Sequence, residues 1–400
     1  MKQVLILLCA VALLASCGAG PAAPATDPVG QTAPTATPDV PDPTPDDTDY
    51  PALFERLFGD VPVNGESDFA FAVENGSATV TAYIGAGGAI RVPDTLGGAT
   101  VTAVGDGAFA GRDDLETLIL PDTVTDFGSG VLAGTALAAL RTPFPLSVGY
   151  LGFLWGAAQY LENSQPALRS LKYLELRTHP DADAAFCLPP HALYECNDLV
   201  AVHLPNAAKV GEYAFCHCES LRYVNAGVIA EIGAHAFDSC FELRTLAFGE
   251  GLSRIGFAAL RDCSSLTDLT LPFLGETREE NTYLGYLFGA ETVGFSSGFY
   301  SPVLRRVTLT SGCAVLPDFA LYECRSLQAV FLPETLTAVG ARALSGCTSL
   351  TSLAFPASCA SIGDAACAGC ISLRSVTYAP SAEIGVNAFL GCPLDSRTAG

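Results

Sequence analysis

The chain has 400 residues, half of them hydrophobic and only 16% charged, and its 42 acidic residues against 20 Lys and Arg give a formal net charge of -22. An acidic excess of this size argues against nucleic acid and against an anionic membrane surface as the main partner. The length allows two ordinary domains, but the internal repeat described below favours one elongated array.

Residues 1–16 have the pattern of a signal peptide. Lys2 supplies a positive charge, and Val4 to Leu14 form an apolar run that is too short to span a bilayer. The segment ends in LASC, which resembles a bacterial lipobox. The resemblance implies cleavage before Cys17 and lipidation of that residue, and two or more acyl chains hold a protein on a membrane. An ordinary signal peptide with a chance cysteine is the alternative.

Residues 17–50 are predicted to be the lipidated cysteine and a disordered tether. The segment after Cys17 is rich in Pro, Ala, Thr and Asp and has no Lys or Arg. Such a composition buries too little apolar surface to fold. Its prolines favour an extended chain, which at about 3.1 Å per residue would reach on the order of 100 Å from the membrane.

Residues 51–100 are expected to cap the array. PALFERLF, at 51–58, fits a short amphipathic helix. The stretch from Phe69 to Tyr83 alternates apolar and polar residues around Asn75-Gly76, which is a β-hairpin signal. Because a repeat array exposes its first apolar face, a distinct N-terminal segment is expected.

From 101 to 400 the sequence repeats with a period of 22 or 23 residues. Most clear repeats open with an aliphatic residue and Gly, and two have Pro189 or Pro317 in place of the Gly. Cys follows seven residues later, with Leu three residues after the Cys. A period of this size predicts a solenoid. The Leu-x-x-Leu-x-Leu segment predicts short strands that stack in parallel, about 4.8 Å per coil.

Two interruptions are expected to break the array, near 143–170 and 273–304. They contain YLGFLWGA and YLGYLFGA, and each is followed by a similar coil, LPPHALYEC or LPDFALYEC. The array therefore looks duplicated, with a unit of about 130 residues. Trp155, Tyr283 and Tyr286 in these segments are candidates for an aromatic binding surface. The alternative is a repeated structural module.

These motifs resemble the BspA-like bacterial leucine-rich repeats, a family of surface proteins. IGAHAFDSCFELRTLAF and VGARALSGCTSLTSLAFP are close to the family's repeat, and the resemblance covers most of the chain after Phe69. It implies a leucine-rich-repeat solenoid and a function in adhesion. The first two repeats depart from the pattern, with Arg112 and Thr135 where later repeats have Cys.

Eight cysteines share one position in the repeat: Cys196, Cys218, Cys240, Cys263, Cys324, Cys347, Cys370 and Cys392. Their side chains should point in parallel, with Cβ atoms about 4.8 Å apart, whereas a disulfide needs about 3.5–4.5 Å. We therefore predict buried thiols that fill the core and donate weakly to the turns. No metal and no cofactor are predicted, since the cysteine pairs lack a second paired cluster.

A second column, here called the basic column, follows the first Leu of each predicted strand: Lys172, Val200, Arg222, Arg244, Thr267, Arg305, Gln328, Thr351 and Arg374. Five of the nine are basic and none is acidic. Beside them stand Tyr173, His203, Tyr223 and Asn225. One interpretation is a recognition strip for a partner with acidic or hydrogen-bonding groups, because Arg and Tyr are typical interface anchors. The other is that long Arg stems cover apolar sheet surface.

The sequence thus predicts a lipid-anchored extracytoplasmic protein that binds an extracellular protein or glycan, with adhesion as the leading hypothesis. A component for glycan or nutrient capture, or of an envelope complex, is the second. A hydrolase is the third and is not favoured. Its support is a GxSxG match at Gly294 to Gly298, which lies in an insertion rather than between a strand and a helix.

Overall fold

The computed structural model describes residues 48–163, 170–177, 186–205, 207–280 and 282–399. The predicted signal peptide, Cys17 and nearly all of the tether lie outside them. Within the described ranges the chain forms a helix, α1 (Tyr50–Phe58), and strands β1 to β26. Short 3-10 helices connect them at Glu66–Asp68, Leu151–Trp155, Tyr160–Glu162, Leu284–Phe288 and Val293–Gly298.

The strands predicted from the Leu-x-x-Leu-x-Leu segments form one parallel ladder, here called the front ladder. Its strands are β3 (Gly88–Arg91), β6 (Leu115–Ile119), β8 (Ala139–Pro143), β9 (Tyr173–Arg177), β11 (Ala201–His203), β13 (Tyr223–Val224), β15 (Thr245–Ala247), β17 (Asp268–Leu271), β18 (Arg306–Leu309), β20 (Ala329–Phe331), β22 (Ser352–Ala354), β24 (Ser375–Tyr378) and β26 (Ser396–Ala399). They are hydrogen-bonded as three sheets that follow one another, with β13 beside β15 and β20 beside β22.

A second set of strands, here called the back ladder, precedes the Gly of each repeat. It starts from the antiparallel hairpin of β1 (Phe69–Glu74) and β2 (Ser77–Tyr83). The strands that follow are β4 (Thr95–Leu96), β5 (Ala99–Val104), β7 (Asp126–Phe127), β10 (Phe186–Leu188), β12 (Ala207–Val210), β14 (Glu231–Ile232), β16 (Arg254–Ile255), β19 (Val315–Leu316), β21 (Ala338–Val339), β23 (Ser361–Ile362) and β25 (Glu383–Ile384). The predicted hairpin is confirmed, and its turn residue Asn75 has a φ of 51°.

The core lies between the two ladders. In the coil around residue 240, Leu243 and Leu246 point inward from the front, and Ile232 and Phe237 meet them from the back and the turn, each at most 2% exposed. Burying such a side chain contributes about 1.5–3 kcal/mol. Each coil adds a set of this kind, so the fold grows by stacking.

Close approach of neighbouring coils explains the Gly of each repeat. A Cβ atom added at Gly363 would lie 2.6 Å from the carbonyl carbon of Gly340, the equivalent residue one coil earlier. The backbone N–H of Gly363 donates to the carbonyl of Val339 at 2.8 Å. Any side chain here would force the coils apart, so the Gly is a packing requirement.

The strand pairing locates the two expected interruptions on one side of the stack. The front ladder passes both without a gap, since Ala139 pairs with Tyr173 and Leu269 pairs with Val307. Back-ladder pairing stops at β7 and resumes at β10, and it stops again between β16 and β19, in the part of the chain that is described. The inserted residues therefore interrupt one side of the stack only.

The helix α1 lies across the outward face of the front ladder. Asp49 caps it by accepting a hydrogen bond from the N–H of Ala52 at 3.0 Å. Its three aromatic residues, Tyr50, Phe54 and Phe58, are spaced by four and share one face. They pack on three small or aliphatic residues of β6, β8 and β11: Ile119, Ala139 and Ala201.

Candidate binding surface

The basic column lies beside the front ladder in three hydrogen-bonded runs, one for each sheet, which end at Arg222, Gln328 and Arg374. The N–H of Val200 donates to the carbonyl of Lys172 at 2.8 Å, and that of Arg222 donates to the carbonyl of Val200 at 2.8 Å. In the second half, Arg305 donates to Thr267 at 2.9 Å. Members of neighbouring coils are therefore held one hydrogen bond apart, and their side chains emerge in a row.

Exposure differs along this column. Lys172, Arg222 and Arg374 are exposed, whereas Arg244 and Arg305 are half-buried. Arg222 pairs with Glu242 at 3.4 Å, and Arg374 pairs with Asp395 at 3.4 Å. Such exposed pairs contribute only about 0–1 kcal/mol. The carboxylates of a partner can therefore replace these acidic neighbours at a small cost in free energy.

Three of the predicted neighbours are covered by the chain itself. Tyr50 of α1 stacks on Tyr223, with ring centroids 4.9 Å apart, and Phe54 contacts the ring of His203 at 5.4 Å. Tyr173 packs against the same aromatic cluster. The structure brings these residues together, as predicted, but beneath α1. Sequence reasoning missed this because the helix lies more than a hundred residues earlier in the chain.

Asn225 has a structural role between two coils. Its Oδ1 accepts a hydrogen bond from the backbone N–H of Leu204 at 2.5 Å. This bond joins the end of one front strand to the coil before it. The side chain is half-buried, so Asn225 orders the edge of the ladder.

A buried carboxylate cluster, which the sequence reasoning did not identify, lies beside the helix. Glu175 is 6% exposed and forms ion pairs with Arg141 at 3.3 Å and Arg177 at 3.0 Å, and the Nδ1 of His203 lies 3.5 Å from it. Burial raises the pKa of Asp122, which faces Arg177 at 3.8 Å. The sequence did contain a signal for this cluster, namely charged residues at outward positions of adjacent strands. The strand register places Arg141, Glu175 and His203 in one row.

The front ladder after β13 presents a different face. Arg306 pairs with Asp268 across two strands at 2.9 Å. Phe331, in register with Thr308, is 53% exposed. This half therefore offers hydrogen-bonding and charged groups around one apolar side chain, a composition typical of a protein-binding surface.

The prediction of an aromatic surface in the insertions is wrong for two residues. Trp155 is 6% exposed and Tyr283 is 8% exposed. The hydroxyl of Tyr283 donates to the carbonyl of Ala290 at 2.9 Å, and Tyr286 is half-buried beside Phe257. The 3-10 helices take the turn position of a coil, because the N–H of Leu284 donates to Ala320 at 2.8 Å. The alternative, a repeated structural module, is confirmed.

The prediction of buried thiols is confirmed for seven of the eight column cysteines, whereas Cys392, in the last coil, is half-buried. The Sγ–H of Cys218, Cys240 and Cys263 donates to a carbonyl of the preceding coil at 3.1 to 3.2 Å. Burial raises the pKa of Cys196 and Cys324 to about 12. Neutral thiols of this kind are poor nucleophiles and poor metal ligands.

Chemistry at other positions is limited within the described ranges. No group of three or more His, Cys, Asp or Glu side chains is placed to hold a metal ion there. The GxSxG match lies in the 3-10 helix Val293–Gly298, and its Ser296 is fully buried against Gly285. A nucleophile elbow instead requires an exposed serine between a strand and a helix. No helix in the described part of the chain is long and apolar enough to cross a membrane.

Comparison with known proteins gives one family match. The model of the BspA type leucine rich repeat region matches in six copies, at residues 95–150, 188–285 and 292–399. No curated protein matches the chain.

Several solved structures are similar. A leucine-rich repeat protein from Bacteroides ovatus is 19% identical, with a TM-score of 0.39, over 84% of this chain and 94% of that one. A leucine rich cell surface protein from Faecalibacterium prausnitzii is 21% identical, with a TM-score of 0.32, over 85% and 95%. The pneumococcal vaccine antigen PcpA is 16% identical, with a TM-score of 0.32, over 84% and 87%.

Proposed function

Because the chain belongs to the BspA-type leucine-rich repeat family, we propose that it is a lipid-anchored cell-surface protein that binds an extracellular protein and so mediates adhesion. The lipobox-like LASC segment supports the anchor, and the front ladder with its basic column is the binding surface. The tether places this surface away from the membrane.

The observation that carries the proposal is the charge of the basic column. In a chain with a net charge of -22, five of its nine residues are basic and none is acidic, along a ladder that both insertions leave intact. Local cations in an acidic protein attract acidic groups while the rest of the surface repels them. The column therefore favours a partner that presents carboxylates in a row.

The half of the ladder that α1 leaves open supports a protein rather than a glycan. Phe331 is an exposed apolar side chain in register with Thr308, on the same sheet as the Arg306–Asp268 pair. An apolar centre with a polar rim is the common arrangement of protein interfaces. Capture of an acidic glycan would use the column alone and would not need Phe331.

The test uses immobilised extracellular-matrix proteins and, in parallel, acidic and neutral polysaccharides. Three forms of the chain are compared: the unchanged protein, the double variant Arg222→Glu with Arg374→Glu, and a control double variant, Arg261→Glu with Arg325→Glu. The control makes the same charge change at arginines that are exposed and ion-paired but lie in turns away from the ladder.

We expect a matrix protein to bind the unchanged chain and the control equally and the column variant at least ten-fold more weakly. A further variant, Phe331→Ser, should weaken binding to a protein and leave binding to a polysaccharide unchanged. Equal binding by all forms would refute a role for the column. Binding to polysaccharide alone would assign the chain to glycan capture instead.

A further inference from the structure

The first half of the front ladder is built as a groove for a helix. Ile119, Ala139 and Ala201 form its floor, and Tyr173, Val200 and Tyr223 pack around the helix that lies in it. The occupant contributes Tyr50, Phe54 and Phe58, which are 7%, 4% and 1% exposed. An amphipathic helix with anchors spaced along one face is a common occupant of such grooves.

The groove is specific to the first half of the duplicated array. Where LKYLEL has Tyr173, the second copy, LRRVTL, has Arg306. Where LRYVN has Tyr223, the second copy, LTSLA, has Ser352. The aromatic walls are therefore not a property of every coil, and the two halves present different surfaces on a common backbone.

The occupant is attached by a short connection. Residues 59–63 join α1 to Asn64, whose N–H donates to the carbonyl of Arg91 at 3.0 Å and whose Oδ1 accepts from the N–H of Arg91 at 2.9 Å. The helix has nine residues, and isolated helices of that length are marginal in water. It can leave the groove by unfolding while the fold beyond Asn64 stays in place.

We propose that this groove is a binding site for an amphipathic helix of a partner protein, with aromatic residues at three positions four apart, and that Tyr50–Phe58 is its resident occupant. The partner helix replaces α1 in the groove. Lys172 and Arg222 stand exposed at the groove's edge, which favours acidic residues flanking the incoming helix, as Asp49 flanks α1.

Competition from the resident helix determines how tightly an added helix binds. A short connection gives the resident helix an effective concentration on the order of millimolar. An added helix must overcome this concentration, so it should bind the unchanged protein weakly and a protein with a vacated groove much more tightly.

The test uses a fluorescent peptide of residues 48–61 as the probe and anisotropy as the readout. The full chain is compared with a variant carrying Phe54→Ala and Phe58→Ala, which weakens the resident helix and leaves the groove intact. A second variant adds Ala201→Arg to this pair, which fills the groove floor. A peptide with the same two Phe→Ala changes is the matched control probe.

We expect the peptide to bind the vacated variant at least ten-fold more tightly than the unchanged chain, with no binding after Ala201→Arg and none by the control peptide. Equal binding to all three proteins, or no binding to a folded vacated variant, would overturn the proposal.

Hydrogen exchange on the unchanged chain gives a second measurement, which decides the matter if the vacated variant does not fold. Amides of Leu57 and Phe58 should exchange at least a hundred-fold faster than that of Val202 in the core of β11. Equal protection would mean that α1 leaves only on global unfolding, and the proposal would be wrong.

This inference deepens the proposed function and rests on it only for the role of the front ladder in binding. The peptide assay contains no matrix protein. Loss of matrix binding after Arg374→Glu alone, a column change outside the groove, with normal peptide binding, or the reverse, would therefore separate the two.

Discussion

Tyr50 and Tyr223 stack with ring centroids 4.9 Å apart and ring planes 13° from parallel. Offset aromatic pairs of this kind contribute about 0.5–1.5 kcal/mol beyond the area that they bury. The contact joins the start of the described chain to the middle of the front ladder. The described chain therefore begins on the sheet face, in the groove of the front ladder.

Replacing the predicted lipidation site tests the anchor. Cys17→Ala should release the protein from the membrane fraction or leave it unprocessed, because the thiol that would carry the acyl chain is gone. Detergent partitioning and the mass of the mature protein are the measurements. Cys9→Ala, inside the apolar run, is the control and should remain anchored. A Cys17→Ala protein that partitions like the control would contradict the proposed anchor.

Removing a core leucine should destabilise the stack. Leu243 is 0% exposed, and Leu243→Ala should lower the free energy of unfolding by about 2–5 kcal/mol, from lost burial and the cavity left behind. Thr245→Ala, two residues later on the outward face, should change it by less than about 0.5 kcal/mol. Urea unfolding followed by circular dichroism compares the two. Similar costs at both positions would be inconsistent with the inward and outward assignment of β15.

Adding one methyl group where two coils touch should lower the stability of the fold more than adding one at the surface. Gly363→Ala places Cβ 2.6 Å from the backbone carbon of Gly340, and overpacking of this kind costs about 1–3 kcal/mol. Gly251→Ala is the control, since a Cβ atom there meets no atom within 4 Å. Thermal unfolding of the two variants should separate them, and equal melting temperatures would contradict the coil packing.

The buried thiols predict a loss of stability in alkali. Burial raises the pKa of Cys196, Cys216 and Cys324 to about 12, against about 8.5 for an exposed thiol. Below about pH 8.5 each thiol is protonated in both the folded and the unfolded state, so its contribution to stability is fully present. Between about pH 8.5 and 12 the unfolded thiol ionises first, so each thiol removes up to about 1.4 kcal/mol of stability per pH unit.

Urea unfolding at pH 7 and at pH 10 measures this dependence. Cys324→Ala should reduce the loss between the two pH values by about one thiol's share, whatever its effect at pH 7. A loss as large as that of the unchanged chain would show that Cys324 ionises alike in both states. Alkylation of the folded protein gives an independent check, since the column thiols should react only after unfolding.

The solenoid was predictable because its determinants are local and repeated. The Gly, the Cys and the Leu residues recur at fixed spacing, and each acts on the next coil through contacts one period away. The inward direction of Leu243 and the thiol bonds of Cys218 follow from that spacing. The hairpin was predictable for the same reason, because Asn75-Gly76 specifies its own turn.

The candidate surface was predictable only in part. The row of Lys172 and Arg222 followed from stacking, but the cover over Tyr173, His203 and Tyr223 did not. An amphipathic helix has an apolar face that must be buried, yet its sequence does not name the surface that buries it. The prediction of an aromatic surface in the insertions was wrong for a related reason. Aromatic composition alone does not show whether a side chain such as Trp155 is exposed or buried.

The contact between α1 and β13 has a consequence for the order of folding. Coils pair with neighbours one period away, so they can close as the chain emerges, whereas Tyr50 must wait for Tyr223, roughly 170 residues later. At a synthesis rate of about 5–20 residues per second, that wait is on the order of ten seconds or more. During this time the aromatic face of the helix can contact only the part of the groove already synthesised, such as Ile119 and Ala139. A contact in the middle of the stack is thus completed by nearly the first described residues of the chain, and a chaperone that holds them would act in that interval.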